Sequence, residues 1–246
     1  MQLGTMLAEG KTKIIYAHPD DPDLVVLVHK DGITAGDGAR RSEIAGKGAI
    51  AGRTTANVLA YLGREGIATH FVSAPADDMT VVRRCAMLPL EVVMRRLATG
   101  SYLRRNPEVA EGQPFDPPLV EFFLKDDAAH DPQISEGEIV AQNIATAAEV
   151  QQMIATGREV CAALARAWAR QDVTLVDIKI EFGHLPTGKL IVADVIDNDS
   201  WRIWPGGEKA RMLDKQVYRN APQVDEALLA AIKERYLQVA DMTASF

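Results

Sequence analysis

Asp177-Ile-Lys179-Ile-Glu181-Phe182, deep in the chain, alternates charged and apolar side chains at every step. In an extended strand successive side chains point to opposite faces. The alternation therefore gathers Asp177, Lys179 and Glu181 on one face and Val176, Ile178, Ile180 and Phe182 on the other. A second apolar run, Leu190 to Ile196, follows a connection over 183–188 and carries Asp194. Folding the two runs back on each other brings Asp194 into the same neighbourhood. Carboxylates on neighbouring strands beside a lysine are what magnesium-ATP requires: oxygen donors for a hard cation and a compact ammonium for a phosphoryl group. An exposed sheet face laced with ion pairs would use the same residue types. The apolar flanks, which mark a central strand, favour the first reading.

Three further groups point to small anions. Glu9-Gly10-Lys11-Thr12-Lys13 sits between two short strands, where a glycine lets backbone N–H groups approach a phosphate and a lysine can reach it; a solvated hairpin turn is the alternative. Asp31 to Arg41 holds three glycines and ends in Arg40-Arg41, which suits a substrate loop closing on a carboxylate or phosphate through a bidentate guanidinium; a plain surface loop is the alternative. Arginines also come in pairs at 83–84, 95–96 and 104–105, each a local cationic point or a solvated charge. Arg41 to Gly48 is not a P-loop. Arg41 stands where its first glycine should be, and Gly48 where Ser or Thr would hold magnesium.

These groups need a scaffold, and the pattern supplies one. Runs at Lys13–Tyr16, Leu24–His29, Ile67–Ser73 and Met87–Met94 read as strands separated by Pro, Gly and Asp clusters. One helix, Ala49–Arg64, interrupts them, with Ile50, Val58, Leu59 and Leu62 at helical spacing. A proline-rich connection then leads to a strand at Leu119–Lys125. A long amphipathic helix follows over Thr146–Arg170, then the two β runs above, and a last helix over Val224–Val239. The expected organisation is α+β, with a β-rich nucleotide-binding lobe over 1–90 and an α/β substrate- and metal-binding lobe over 91–246.

Composition limits the partners. At 47% apolar and 25% charged, the chain has the balance of an ordinary globular protein. Its net charge of −7 disfavours a phosphodiester backbone as ligand. The longest apolar run, Leu24–Val28, is far short of the roughly 20 residues of a membrane span, and residues 1–16 lack the basic-then-apolar plan of a signal peptide. A cytoplasmic protein without membrane or nucleic-acid partners is expected, with a homo-oligomer as its assembly. Cys85 and Cys161 lie in apolar surroundings without partners at metal spacing, as buried thiols do.

An ordered set of motifs resembles the phosphoribosylaminoimidazole-succinocarboxamide synthase (SAICAR synthetase) family. It comprises Glu9–Lys13, Ile33–Gly36, Gly46–Gly48, Leu88-Pro-Leu-Glu-Val92, Ala98-Thr-Gly-Ser101, Lys125–Asp127 with His130–Pro132, and Asp177–Gly183. Asp194-Val-Ile-Asp-Asn-Asp-Ser-Trp-Arg202 is similar to the synthase half of the animal bifunctional enzyme. Ala8 stands where the family commonly has tyrosine, and Val195 where bacterial members usually have glutamate.

The resemblance implies an ATP cleft between the two lobes, with ATP and Mg2+ as cofactors. Gly10, Lys11 and Lys13 would lie over the phosphates, Met87 and Leu88 along the adenine, and Lys179 beside the nucleotide, with Glu181 and Asp194 holding the metal. The aminoimidazole carboxylate ribonucleotide would contact Ala35, Gly36, Asp37, Gly38, Arg40, Arg95, Ser101, Asp199, Arg202, Lys215 and Arg219. L-Aspartate would fall near Lys125 and Asp131. Lys11, Lys179, Asp199 and Arg202 are the implied catalytic set of a C–N ligase in purine biosynthesis. Such an enzyme must phosphorylate a carboxylate before an amine can displace oxygen from it. A kinase that stops at phosphorylation and a non-catalytic nucleotide-binding module are the competing readings.

Overall fold

The computed structural model describes residues 1–35 and 40–246. Strands β1 (Met6–Glu9) and β2 (Lys13–Ala17) form an antiparallel hairpin closed by Gly10 N–H donating to the Lys13 carbonyl at 2.9 Å. Next comes β3 (Leu24–His29), then a two-stranded ribbon of β4 (Gly32–Ala35) and β5 (Arg40–Glu43). Helix α1 (Lys47–Arg64) turns Ile50, Val58, Leu59 and Leu62 inward as its periodicity requires. Its N-cap is Gly46 in the left-handed conformation, with no side chain to cap the helix. Asp31 does that work from outside, accepting from Gly46 N–H at 3.0 Å and Gly48 N–H at 2.8 Å. Strands β6 (Phe71–Ala76) and β7 (Met79–Arg83) complete an antiparallel sheet of order β1-β2-β3-β7-β6, and β8 (Ala86–Met87) follows.

The chain continues through β9 (Leu90–Leu97), the short α2 (Ser101–Arg105), β10 (Pro114–Leu124), β11 (Gln133–Ile134) and α3 (Glu136–Ala141). Helix α4 (Ala147–Ala169) begins with a capping box, Thr146 and Glu149 each bonding the other's backbone. Its buried face of Met153, Val160, Leu164 and Trp168 packs on β9. Strand β12 (Val173–His184) is central: Asp177 lies opposite Arg95 of β9 on one side and opposite Arg202 of β14 (Trp201–Pro205) on the other. Strand β13 (Leu190–Ala193) and helices α5 (Gln216–Asn220) and α6 (Glu226–Thr243) complete the chain.

Two compact units result, and neither is continuous in sequence. One contains residues 1–87, 182–199 and 213–246; the other contains 88–181 and 200–212. The chain first crosses from one unit to the other after Met87. The later returns were not legible, because strand β12 passes from one unit to the other without a break. In the first unit Tyr218, Ile232, Tyr236 and Ala240 of α5 and α6 form a core with Ile33, Ile44 and Ile50. In the second, the Trp168 and Trp201 rings meet edge to face with centroids 5.3 Å apart.

Three local expectations change. The proline-rich segment before Leu119 belongs to β10, which pairs at Pro114 and again from Leu119 with a register shift between, as prolines without N–H groups dictate. The run Leu190–Ile196 stops as a strand at Ala193, because Asp194 takes a left-handed φ of 65°. The run Ile67–Ser73 begins as a strand only at Phe71.

Candidate active site

The carboxylates of β12 are buried, the Lys179 ammonium is half-buried, and each has specific partners. Glu181, only 2% exposed, accepts from Lys179 Nζ at 2.7 Å on one oxygen and from Lys125 Nζ at 2.5 Å on the other. Lys179 also pairs with Glu91 at 3.2 Å. The Lys125 ammonium, which the resemblance assigned with Asp131 to aspartate, joins Lys179 around Glu181. Asp131, at φ 47°, accepts from Asp126 N–H at 2.9 Å and shapes its own loop.

In the first unit Lys13 reaches across from β2 to pair with Asp194. Two buried histidines lie in the field of this pair. Burial holds both His29 and His70 down to about 4 and so keeps them neutral, and the Lys13 charge adds to the effect on each. His29 Nε2 lies 3.0 Å from the Thr80 hydroxyl. The glycine turn carrying Gly10 and Lys11 is exposed and braced by Lys30, whose ammonium binds the Gly10 carbonyl at 3.2 Å and Glu9 at 2.5 Å. Met87 is exposed and lies opposite Gly183 in the β8–β12 register, whereas Leu88 is buried. A Cβ at Gly183 would stand 2.8 Å from Cys85 Cβ, which is why the motif ends in glycine.

The second unit holds a guanidinium ladder. Arg95, 3% exposed, donates from Nε to Glu121 and from Nη1 to Asp177 at 3.0 Å, and Nη2 lies 3.4 Å from the Ser101 hydroxyl. Arg105 binds the other Glu121 oxygen, and Arg202 binds Asp177. Three guanidiniums face two carboxylates, so the ladder keeps one net positive charge. Gly100, at φ 60°, lets the chain pass Arg202: a Cβ there would stand 2.6 Å from the guanidinium.

A third cluster sits in the first unit. Asp199 accepts from Lys215 Nζ at 2.8 Å and from the Tyr236 hydroxyl at 3.2 Å. Burial alone would raise its pKa, but Lys47, Lys215 and Arg219 outweigh burial and hold it well below the usual carboxylate range. Neighbouring Asp197 goes the other way, raised by burial and by the charge of Asp199. Burial lowers Lys215, with Asp199 opposing.

Three of the eight paired arginines bind backbone carbonyls of the fold. Arg40 donates to the Tyr218 and Ala221 carbonyls at 3.0 and 2.7 Å, Arg83 to Thr69 and Arg96 to Leu175, both at 3.0 Å. Ala35 packs on the Ile33 core, and Arg219 is exposed on α5. Gly36, Asp37 and Gly38 lie outside the described residues. Sequence reasoning missed Glu121, Glu91, Lys30, Tyr236 and Lys47. Only Glu121, a lone acid in an apolar strand, carried a local signal. Among the described residues no three His, Cys, Asp or Glu side chains gather as a metal cage.

Lysines closing on isolated carboxylates, with a guanidinium ladder of net positive charge, define an α+β enzyme built to handle small polyanions. The family model for SAICAR synthetase matches residues 6–234. The phosphoribosylaminoimidazole-succinocarboxamide synthase of Chloroflexus aggregans is 71% identical over 99% of this chain and 97% of its own. The bifunctional carboxylase/succinocarboxamide synthetase of Drosophila melanogaster is 44% identical over 99% of this chain and 58% of its own. A solved SAICAR synthetase in complex with ADP superimposes with a TM-score of 0.83 at 32% identity, covering 94% of this chain and 97% of that one. The chain belongs to the SAICAR synthetase family. It is a ligase of purine biosynthesis that condenses L-aspartate with the aminoimidazole carboxylate ribonucleotide at the expense of ATP.

Proposed function

We propose that the three clusters divide the labour of this reaction. A carboxylate does not react with an amine at neutral pH, because oxide would have to leave. A substrate carboxylate oxygen therefore attacks the γ-phosphorus of ATP, ADP departs, and an acyl phosphate forms. The amine of aspartate then adds to the acyl carbon, phosphate leaves, and the amine proton passes to a carboxylate. Gly10, Lys11 and Lys13 hold the phosphates, Met87 and Leu88 line the adenine, and Lys179 neutralises charge on the phosphoryl group in transfer. The ADP complex of the solved relative supports this use of nucleotide.

Glu181 and Asp194 suit magnesium: both are hard oxygen donors, and each already attracts ammonium groups. As two ligands they leave the rest of the shell to phosphate oxygens and water, the usual arrangement for this ion, which when bound supplies charge neutralisation at the phosphates. The ribonucleotide falls to the guanidinium ladder and the third cluster: Arg95, Arg202 and Ser101 for its phosphate, with Lys215, Arg219, Arg40, Ala35 and residues 36–38 around it. Asp199 anchors a donor group of this substrate. Lys125 and Asp131 serve aspartate. Asp199 or Asp131 accepts the proton of the attacking amine.

The observation that carries this reading is the buried Glu181 between Lys125 and Lys179. Glu181→Gln is expected to abolish turnover and Mg2+-dependent ATP binding while leaving the fold intact. Normal turnover in that variant would remove Glu181 from the metal site. ADP release must also require aspartate; release without it would mark a kinase. The chain is also inferred to act in the cytoplasm as a homo-oligomer. Among the described residues no helix is long and apolar enough to cross a membrane. Exposed Met6 and Leu7 on edge strand β1, with Val72 on edge strand β6, support pairing between copies, which sedimentation would test.

A further inference from the structure

Lys47 is assigned no role by the reaction as divided above, yet its placement is unfavourable in three ways. It is 1% exposed and among the largest fully buried side chains, and a buried ammonium forfeits its hydration. It is the first residue of α1, where the helix dipole presents partial positive charge. It is also wedged between two glycines: Gly46 needs a positive φ, and a Cβ at Gly48 would stand 2.5 Å from the His29 carbonyl oxygen. A lysine kept here must answer to a neighbour.

The neighbour is Tyr236. The Lys47 ammonium lies over its ring, 5.8 Å from the centroid, and the hydroxyl of the same side chain donates to Asp199 Oδ1 at 3.2 Å. Lys215 holds Oδ2, and the Asp199 N–H donates to Asp197 Oδ1 at 2.8 Å. The charged and titratable groups facing this cluster, among the described residues, are Lys47 from α1, His29 from β3, which feels the Lys47 charge, Asp197 and Asp214 from the loops before β14 and α5, Lys215 and Arg219 at α5, and Tyr236 from α6. Tyr236 itself is held protonated, by burial first and then by the charge of Asp199, so it stays a donor. Burial works against ionising either aspartate. The second buried cation beside Lys215 lets Asp199 carry the charge while Asp197 is disfavoured as an anion.

We propose that Lys47 is a positioning residue of the ribonucleotide subsite, acting through Tyr236 and Asp199 rather than on a substrate. The inference rests on the assignment of Asp199 to that subsite. The test uses the full chain with Lys47→Met, which keeps length and removes charge, and Tyr236→Phe, which keeps the ring and removes the hydroxyl. The Asp199 carboxyl is titrated by 13C NMR without ligands, and KM for the ribonucleotide, ATP and aspartate is followed from pH 8 to pH 5. In Lys47→Met the Asp199 midpoint should rise by a unit or more. The ribonucleotide KM should rise about tenfold at every pH from 8 to 5, since a midpoint raised by a unit still leaves Asp199 ionised throughout that range, with the ATP and aspartate values within about twofold. Tyr236→Phe should move both readouts the same way by less, and it carries the test alone if Lys47→Met does not fold. An unmoved Asp199 midpoint in both variants overturns the proposal, whether or not melting temperature falls. A raised midpoint with an unchanged ribonucleotide KM upholds the link from Lys47 to Asp199 and overturns the assignment of Asp199 instead.

Discussion

Asp177→Ala removes the carboxylate that Arg95 and Arg202 share. Asp177 is buried, its side chain 7% exposed, and Arg95 is nearly as enclosed at 4%, whereas the Arg202 side chain is 15% exposed. Removing one member of a buried ion pair costs about 3–5 kcal/mol, because the partner stays buried without compensation. Here the net charge of the ladder rises from one to two. Arg95 keeps Glu121, however, and Arg202 can turn toward water, so the lower end applies: about 3 kcal/mol. For a chain of this size that corresponds to roughly 6–12 °C in melting temperature. Calorimetry and urea unfolding of the ligand-free protein would measure it. Arg202→Ala in the same background should return part of the loss, with a coupling of at least about 0.5 kcal/mol. A loss below about 1 kcal/mol, or strict additivity in the double variant, would refute the view that Asp177 holds the ladder together.

Arg202→Ala alone should raise the ribonucleotide KM roughly ten- to hundredfold, the worth of one charge-assisted hydrogen bond, and leave the KM for ATP unchanged; steady-state kinetics with each substrate varied decides it. Acid should destabilise the fold through His29 and His70. Both are held down to about 4 when folded, so the unfolded chain takes up protons first as the pH falls below about 6.5. Stability is then full above about pH 6.5 and drops by about 3 kcal/mol per histidine as the pH approaches 4; equal urea midpoints at pH 7 and pH 5 would contradict this. Asp31→Ala should cost about 1–2 kcal/mol, since Asp31 caps two N–H groups at the start of α1; hydrogen exchange at residues 46–48 would report it.

The sequence disclosed what periodicity and local chemistry encode. Strict alternation found β12, an apolar stripe found α4, and the carboxylates of the Asp177–Glu181 face proved to be buried and paired. What stayed hidden depends on contacts distant along the chain. Nothing near Glu121 says that it will meet Arg95 and Arg105, and nothing near Lys47 says that a tyrosine from α6 will lie beneath it. Lys125 was read with its sequence neighbours, whereas its side chain binds Glu181, 56 residues away. The end of β13 was missed for a different reason: the left-handed turn at Asp194 interrupts an apolar run that composition alone would continue.

The four crossings of the chain between its two compact units bear on how such a gene can be cut. Neither unit corresponds to a contiguous stretch of reading frame, and one crossing falls inside a strand, between Glu181 and Phe182. A break at any crossing splits the unit that holds both termini. Exon shuffling or split expression therefore cannot deliver either unit by itself. An insertion or fusion partner is tolerated best outside these junctions, and recombination would pass this enzyme on whole.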